Sequence, residues 1–342
     1  MARIGIGACA VALLLPALAA CGGGGTHVVK PAERHLTYLA GDDLAHATVW
    51  LANIDGSHAR PLGRGSVAVL SPDGRSVGVL RKDGIYVVST HGSAARRLTS
   101  ERLHPQAWSP DGKTLFASRP APLSVLELDA VDKASGKVRV VASGSLYGFS
   151  FSPDGSKLIY SRAPVASGRG LCGDQFDLYV TKVSGGKSTR LTHDGVSAFP
   201  VWGPRGIAFA RLPDDVDPQA ACSAPGIWTM KDDGSDVKPV IMRAPLLLSE
   251  DGLYGLEPLA WLDDSHIVAG IRTNGGTLGT VVNLRTHKLR AIRDFADTAS
   301  SDGRYSVGGG GDGQTVHLSI VRLSDLHRIF RKVSACCPSW NR

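Results

Sequence analysis

Hydrophobic positions along the chain fall into short runs, and turn-forming residues separate one run from the next. Residues 76–80, 114–117 and 157–160 are examples, and each of these runs begins just after a turn that contains glycine. Short runs bounded by Gly, Pro, Asp and Ser are typical of β-strands. The 41 glycines and 19 prolines among the 342 residues also favour many turns over long helices. The pattern therefore predicts an all-β chain.

The turns before these runs share the tetrapeptide Ser-Pro-Asp-Gly, which occurs at 71–74, 109–112 and 152–155. In such a turn proline presets φ, aspartate accepts hydrogen bonds from the local backbone, and glycine closes the turn without steric penalty. Less complete copies continue the register at 202–206, 261–265 and 299–303. Six turns in register indicate a repeated structural unit.

Each unit continues with a second β-rich run and ends in a short third one. The second runs include 85–88, 178–180 and 227–230, and the final runs include 96–99, 189–192 and 238–241. A unit therefore has four strands, labelled A to D, with the Ser-Pro-Asp-Gly turn between A and B. Four-stranded units that repeat about every 40–45 residues are typical of the blades of a β-propeller.

The repeat resembles that of TolB-type propellers, whose blades carry an aromatic residue with Ser-Pro-Asp-Gly-Lys, then Ile-Tyr-x-Met, Asp-Gly and Arg-x-Leu-Thr. The three intact turns carry the resemblance, which extends over nearly everything after residue 34. It implies the propeller fold and is much less informative about function. Many TolB-type propellers have six blades, and TolB has a separate N-terminal domain, for which we expect no room here.

The two ends of the repeat predict the number of blades. Residues 35–41, 48–56 and 60–62 are predicted as strands B, C and D, with no strand A before them, whereas 333–340 matches a strand A. Pairing the last strand with the first three would close the ring and remove an exposed edge. Seven blades divide residues 35–342 into 44 residues each, while the alternative, six blades, would need about 51. We therefore predict seven.

The N-terminus carries an export signal. Arg3 precedes the apolar residues 4–20, a segment shorter than the roughly 20 apolar residues that span a membrane. The sequence Leu-Ala-Ala-Cys that ends at Cys21 resembles the lipobox of bacterial lipoproteins, in which the cysteine is acylated after cleavage. We expect a signal peptide at 1–20, a lipidated Cys21 with a Gly-rich tether at 21–34, and the propeller at 35–342. The alternative is an uncleaved anchor with an incidental cysteine.

This signal predicts that the protein is held by lipid on the outer face of the cell membrane or on the periplasmic face of the outer membrane. Cys172 and Cys222 then lie at equivalent places in two neighbouring B–C loops of an exported protein, so we expect a disulfide between them rather than two free thiols. The adjacent Cys336 and Cys337 form a vicinal disulfide or stay free, and the sequence favours neither. No cofactor or metal site is predicted.

Charge and loop length point to a binding role. The net charge of +7, or +6 without Arg3, is scattered along the chain, which gives little support to nucleic-acid binding. The long segments 163–177, 213–225 and 243–257 all lie on one side of the predicted ring, over blades 4–6. We expect this face to bind an envelope protein, peptide or glycan. Asp214, Asp215 and Asp217 offer carboxylates for a hard cation, although solvated acidic loops are the preferred interpretation.

No catalytic residue is predicted. Residues 74–78 fit Gly-x-Ser-x-Gly, but they run from a blade turn into strand B, without the helix that a nucleophile elbow needs. Similar propellers cap prolyl oligopeptidase-type enzymes, which need an α/β-hydrolase domain after the propeller, whereas this chain stops at Arg342. His104 and His193 are expected near blade junctions, where a propeller lyase would use channel-mouth histidines. A lyase or hydrolase acting on an extracellular polysaccharide is therefore the alternative to a non-enzymatic binding protein.

Overall fold

The predicted strands and turns form a ring of seven four-stranded antiparallel blades in a computed structural model of the chain. Blades 6 and 7 share one continuous sheet because Gly276 pairs with Gly310. The structure describes residues 35–41, 46–92, 95–120, 126–163, 175–212, 225–242, 255–273, 276–300, 304–311, 316–333 and 335–340.

The strands of the first four blades follow the chain in order. Blade 1 begins with β1 (His35–Ala40), β2 (Thr48–Asn53) and β3 (Arg60–Arg64). Blade 2 contains β4 (Val67–Leu70), β5 (Ser76–Arg81), β6 (Gly84–Ser89) and β7 (Arg96–Thr99). Blade 3 contains β8 (His104–Trp108), β9 (Thr114–Pro120), β10 (Leu126–Asp132) and β11 (Val138–Ala142). Blade 4 contains β12 (Ser145–Phe151), β13 (Lys157–Ala163), β14 (Asp177–Lys182) and β15 (Thr189–Arg190).

The remaining strands complete the ring. Blade 5 contains β16 (Ser197–Gly203), β17 (Gly206–Arg211), β18 (Gly226–Met230) and β19 (Lys238–Ile241). Blade 6 contains β20 (Leu256–Trp261), β21 (His266–Thr273), β22 (Gly276–Asn283) and β23 (Leu289–Phe295). Blade 7 contains β24 (Thr298–Ala299), β25 (Tyr305–Gly311), β26 (Val316–Arg322) and β27 (His327–Val333). The last strand, β28 (Ala335–Trp340), returns to blade 1 as its strand A.

The C-terminal strand closes the ring as predicted, although Val333 belongs to β27 rather than to the closing strand. Strand β28 pairs antiparallel with β1, and Leu36 lies opposite Trp340. The Ser339 hydroxyl accepts the Leu70 N–H at 3.0 Å, which joins strand A of blade 1 to strand A of blade 2. The Ser150 hydroxyl joins blades 4 and 5 by an equivalent bond. The contact between the closing strand and blade 2 therefore has the same hydrogen bond as the contact between blades 4 and 5.

Each Ser-Pro-Asp-Gly turn is stabilised by the same local hydrogen bonds. In blade 3 the Ser109 hydroxyl donates to Asp111 at 2.6 Å and accepts the Thr114 N–H at 3.0 Å. Gly112 has a φ of +67°, a left-handed conformation that glycine adopts without strain. Residues Ser71 and Ser152 repeat this arrangement in blades 2 and 4.

The hydrophobic core lies between neighbouring blades. One cluster, for example, joins Ile85 and Leu98 of blade 2 to Leu115 and Val131 of blade 3. Buried tryptophans add hydrogen bonds across these interfaces, since Trp108 Nε1 donates to the carbonyl of Val69 in the preceding blade at 3.0 Å. Burial of a ring together with a satisfied N–H favours one fixed packing of each blade on the next.

Arginines on strand D connect the outer edges of the blades. Each donates to the carbonyl of the first residue after strand C of the following blade. The pairs are Arg60 with Thr90, Arg96 with Lys133, Arg139 with Val183 and Arg290 with Leu323.

Several predictions fall on residues that the structure does not describe. Cys21, Cys172, Cys222, Asp214, Asp215, Asp217 and the side chain of Cys337 lie outside the described residues. Cys336 is disulfide-bonded, so it is not a free thiol. Gly74 lies in the blade turn and Ser76 begins β5. Residues 74–78 therefore run from a turn into strand B, as the sequence analysis predicted. Within the described ranges, no helix is long and apolar enough to cross a membrane.

Candidate binding face

The two faces of the ring are defined by the connections between the strands. The A–B and C–D turns lie on one side, called here the turn face, and the B–C and D–A connections lie on the other, called the loop face. The described ends of the long segments predicted at blades 4–6 lie on the loop face; in blade 4, for example, β13 ends there at Ala163 and β14 begins there at Asp177. Their described ends are the part of this face that the structure defines.

A row of arginines marks the loop face. Strand B carries an arginine at or near its loop-face end in blades 2 to 5, and the cross-strand register places each beside the start of strand C. The sequence analysis missed this row, although aligning the B strands of the blades reveals it. The four arginines are Arg81, Arg119, Arg162 and Arg211.

Arg119 of blade 3 lies among three carboxylates. It contacts Glu101 at 2.6 Å, Asp129 at 3.0 Å and Glu127 at 3.5 Å. Burial raises the pKa of the fully buried Asp129, while the neighbouring Arg119 charge acts in the opposite direction. The guanidinium is therefore neutralised by groups of its own chain, and Glu101 comes from the connection that precedes the blade.

Arg211 of blade 5 is paired in a comparable way. Its Nε donates to Asp194 at 2.8 Å, and its guanidinium carbon lies 4.4 Å from the centre of the Trp228 ring. Asp194 lies in the connection before strand A of blade 5, the position that Glu101 occupies for blade 3. In both blade 3 and blade 5, the preceding connection thus supplies a carboxylate that pairs with the arginine of strand B.

Asp177 fixes the described end of the long loop of blade 4. It accepts hydrogen bonds from Arg190 at 2.5 Å, from the Thr192 hydroxyl at 3.0 Å and from the Gly195 N–H at 3.2 Å. The Asp177 side chain is buried, so these donors compensate for its lost hydration. Strand C of blade 4 is therefore tied firmly to the connection that leads into blade 5.

Arg162 of blade 4 differs from Arg119 and Arg211. Its guanidinium carbon lies 4.2 Å from the centre of the Tyr179 ring, but its buried Nε has no hydrogen-bond partner among the residues that the structure describes. The preceding connection has only residues 143–144, and a Cβ at Gly144 would lie 3.1 Å from Cδ of Arg162. This short connection covers the aliphatic stem and offers no carboxylate to the charged end.

Arg81 of blade 2 also follows a two-residue connection, 65–66. Its guanidinium carbon lies 4.5 Å from the centre of the Tyr86 ring, and its Nε donates to the Arg64 carbonyl at 3.2 Å. Arg81 therefore shares the stacking of Arg162, but it has a backbone partner that Arg162 lacks.

Of the two predicted channel-mouth histidines, one lies in blade 3 and the other between blades 4 and 5. His104 begins β8 and is half-buried, and burial lowers the pKa of its imidazole. His193 is exposed in the connection between blades 4 and 5. In the part of the chain that is described, no group of three or more His, Cys, Asp or Glu side chains is arranged to hold a metal ion.

A cleft of about 600 Å³ opens on the turn face between blades 1 and 2. Its polar groups bond mainly to one another: the Asp55 carboxylate accepts the Ser57 N–H, and Arg60 donates to the Thr90 carbonyl. His58 contacts Asn53 at 3.0 Å. The polar groups named here in the cleft are therefore committed to bonds within the chain.

Comparison with known proteins supports the fold. No family model and no curated protein matches the sequence. Among solved structures, TolB of Acinetobacter baumannii has a TM-score of 0.53 at 16% identity, over 90% of this chain and 83% of that one. An oligogalacturonate lyase in complex with manganese has a TM-score of 0.55 at 18% identity, over 90% and 85%.

Peptidases of similar fold are longer than this chain. A puromycin-hydrolysing peptidase of Mycobacterium tuberculosis gives a TM-score of 0.58 at 14% identity, over 94% of this chain and 54% of that one. This chain thus matches about half of that peptidase. Similarity at identities this low, to proteins with such different activities, shows a shared TolB-like propeller fold and does not assign a function.

Proposed function

We propose that this protein is a lipid-anchored propeller of the cell envelope that binds a protein partner through its loop face, without catalysis. The observation that carries the proposal lies at the described part of the loop face, where the long connections begin and end and where the buried Nε of Arg162 has no hydrogen-bond partner among the described residues. Rigid blades with variable loops suit such a role.

The position of the first strand supports an orientation for the anchored protein. Strand β1 begins at His35 on the turn face, because strand B of every blade starts beside the A–B turn. A Gly-rich tether of the length of residues 21–34 would have a root-mean-square span of about 20 Å. A lipid on Cys21 would therefore hold the turn face toward the membrane and direct the loop face away from it.

The anchor and the binding face can be tested separately. Mass spectrometry of the protein from a bacterial membrane is expected to find a diacylglyceryl group on Cys21, and Cys21→Ser is expected to release the protein from the membrane fraction. An unmodified Cys21 thiol would contradict the anchor and leave the fold untouched.

The binding face requires loop variants. Partners captured from membranes by the native protein are expected to be lost when 164–174 and 213–224 are replaced by short Gly-Ser segments. Deleting residues 93–94, which separate β6 from β7 in the sequence, is the control, because the described ends of these strands lie on the turn face, and it should leave capture unchanged. Equal recovery by the native protein and the loop variant would refute the loop-face proposal.

A further inference from the structure

We propose that Arg162 is the anchor for an acidic side chain of the partner polypeptide. This inference rests on the proposed loop-face function and names the chemistry that the face recognises. In blades 3 and 5 the chain itself supplies a carboxylate to the equivalent arginine, through Glu101 and Asp194. In blade 4 the partner supplies it.

The environment of Arg162 fits this role. Its side chain lies on the same face of strand B as Tyr160, and Tyr160 stacks on Tyr179 with ring centres 5.9 Å apart. The guanidinium packs on this aromatic pair through the Tyr179 ring, so its orientation is fixed before a ligand arrives. A planar guanidinium held in this way presents paired N–H donors to a carboxylate.

Among the described residues, Arg162 lacks an acidic partner because one connection is short. The connections before blades 3 and 5 span residues 100–103 and 191–196 and carry Glu101 and Asp194, whereas the connection before blade 4 spans only 143–144. Asp177, the carboxylate in cross-strand register with Arg162, is already bonded to Arg190, Thr192 and Gly195. Within the described ranges no carboxylate of this chain is left for a bidentate contact with Arg162, so the proposal assigns this contact to another molecule.

The occupant that fits is an Asp or Glu side chain on an extended polypeptide. Both internal examples of this contact are side-chain carboxylates that a connecting backbone presents to strand B at the loop face. The carboxylate of a uronic acid has the same charge, but in both internal examples the carboxylate is carried by a polypeptide side chain and not by a sugar ring. A polypeptide is thus the source that the internal comparison supports.

The test uses short random peptides displayed on phage and selected against the full chain in detergent micelles. The native protein is expected to enrich Asp and Glu, and Arg162→Gln is expected to abolish the enrichment. Arg81→Gln is the matched control, because Arg81 also stacks on a tyrosine but donates to a carbonyl. It should leave the enrichment intact.

A double-mutant cycle then measures the contact itself. For an enriched acidic peptide, Arg162→Gln is expected to raise Kd about tenfold or more, the usual size for a charge-assisted hydrogen bond. The same substitution should change little for the peptide whose acid is replaced by its amide. Circular dichroism at matched temperatures confirms that the variants are folded.

Four outcomes would overturn the inference: no peptide selection by the native protein, selection without acidic residues, unchanged acidic selection by Arg162→Gln, or an equal loss in Arg81→Gln. Binding of uronic acid oligosaccharides that depends on Arg162, without peptide selection, would overturn the polypeptide partner as well. Peptides that bind through the long loops but carry no acid would refute the role of Arg162 and leave the proposed function standing. An unmodified Cys21 would refute the anchor without affecting peptide selection.

Discussion

The turn face and the loop face of the ring are stabilised in different ways. On the turn face the same serine and aspartate bonds recur in blades 2, 3 and 4. On the loop face, arginines at one register in blades 2 to 5 have carboxylate partners in blades 3 and 5, a backbone carbonyl in blade 2 and only a tyrosine ring in blade 4. A repeated sequence gives a repeated structure where the hydrogen-bonded groups are only a few residues apart. Where the partner comes from the connection between two blades, it changes with the length of that connection.

The largest expected loss of stability comes from a substitution on the loop face. Asp177→Ala removes a buried carboxylate that accepts three hydrogen bonds, and it leaves the Thr192 hydroxyl and the Gly195 N–H without this acceptor. We expect the free energy of unfolding to fall by about 2–3 kcal/mol in urea titrations followed by tryptophan fluorescence.

Asp264→Ala is the matched control for this substitution. Asp264 pairs with Arg205 on the turn face at 3.1 Å, and both side chains are more than half exposed, so the loss should stay below about 0.5 kcal/mol. Equal losses for Asp177→Ala and Asp264→Ala would contradict the stabilising role of the Asp177 cluster.

The second-largest expected loss of stability tests whether the Ser-Pro-Asp-Gly turns of the turn face are equivalent. Ser109→Ala removes a buried hydroxyl that bonds both Asp111 and the Thr114 N–H, and it should cost about 1–2 kcal/mol of unfolding free energy. Because Ser71 and Ser152 make the same bonds, Ser71→Ala and Ser152→Ala should cost about the same in urea titrations. Losses that differ widely among the three would show that the turns are not equivalent.

A smaller effect concerns acid stability. The Ser152 hydroxyl donates to Asp154 and, with Ser156, lowers the pKa of that carboxyl to about 2. Because the folded pKa lies below the unfolded value, this contribution is complete above about pH 4 and is lost as the pH falls through about 2. Urea titrations at several pH values should show a smaller loss of stability over this window in Asp154→Asn. An unchanged pH slope would count against the bond.

The smallest effect on stability is expected at Arg162. Because Arg162 has no ion pair within the described ranges, Arg162→Gln should change the free energy of unfolding by less than about 0.5 kcal/mol. Arg211→Gln removes the partner of Asp194 and should cost about 1 kcal/mol. Similar losses for the two variants would remove the contrast between blades 4 and 5.

The sequence predicts the ring well because its signals are local. The seven blades and the closing strand are confirmed, since turns such as 71–74 and 109–112 determine their own bonds and the unmatched strands at the two ends imply closure. The pairing of Arg119 and Arg211 was not predicted, because their partners belong to connections that approach only in the folded ring. The predicted disulfide between Cys172 and Cys222 stays a prediction.

The placement of β1 inside its sheet has a mechanical consequence. The strand is hydrogen-bonded to β28 on one side and to β2 on the other, with His35 at its turn-face end. A pull on the proposed tether would act along β1 and load both ladders in shear, so the hydrogen bonds would resist together instead of opening one after another. An anchored ring of this kind would withstand tension between the membrane and a partner bound on its far face.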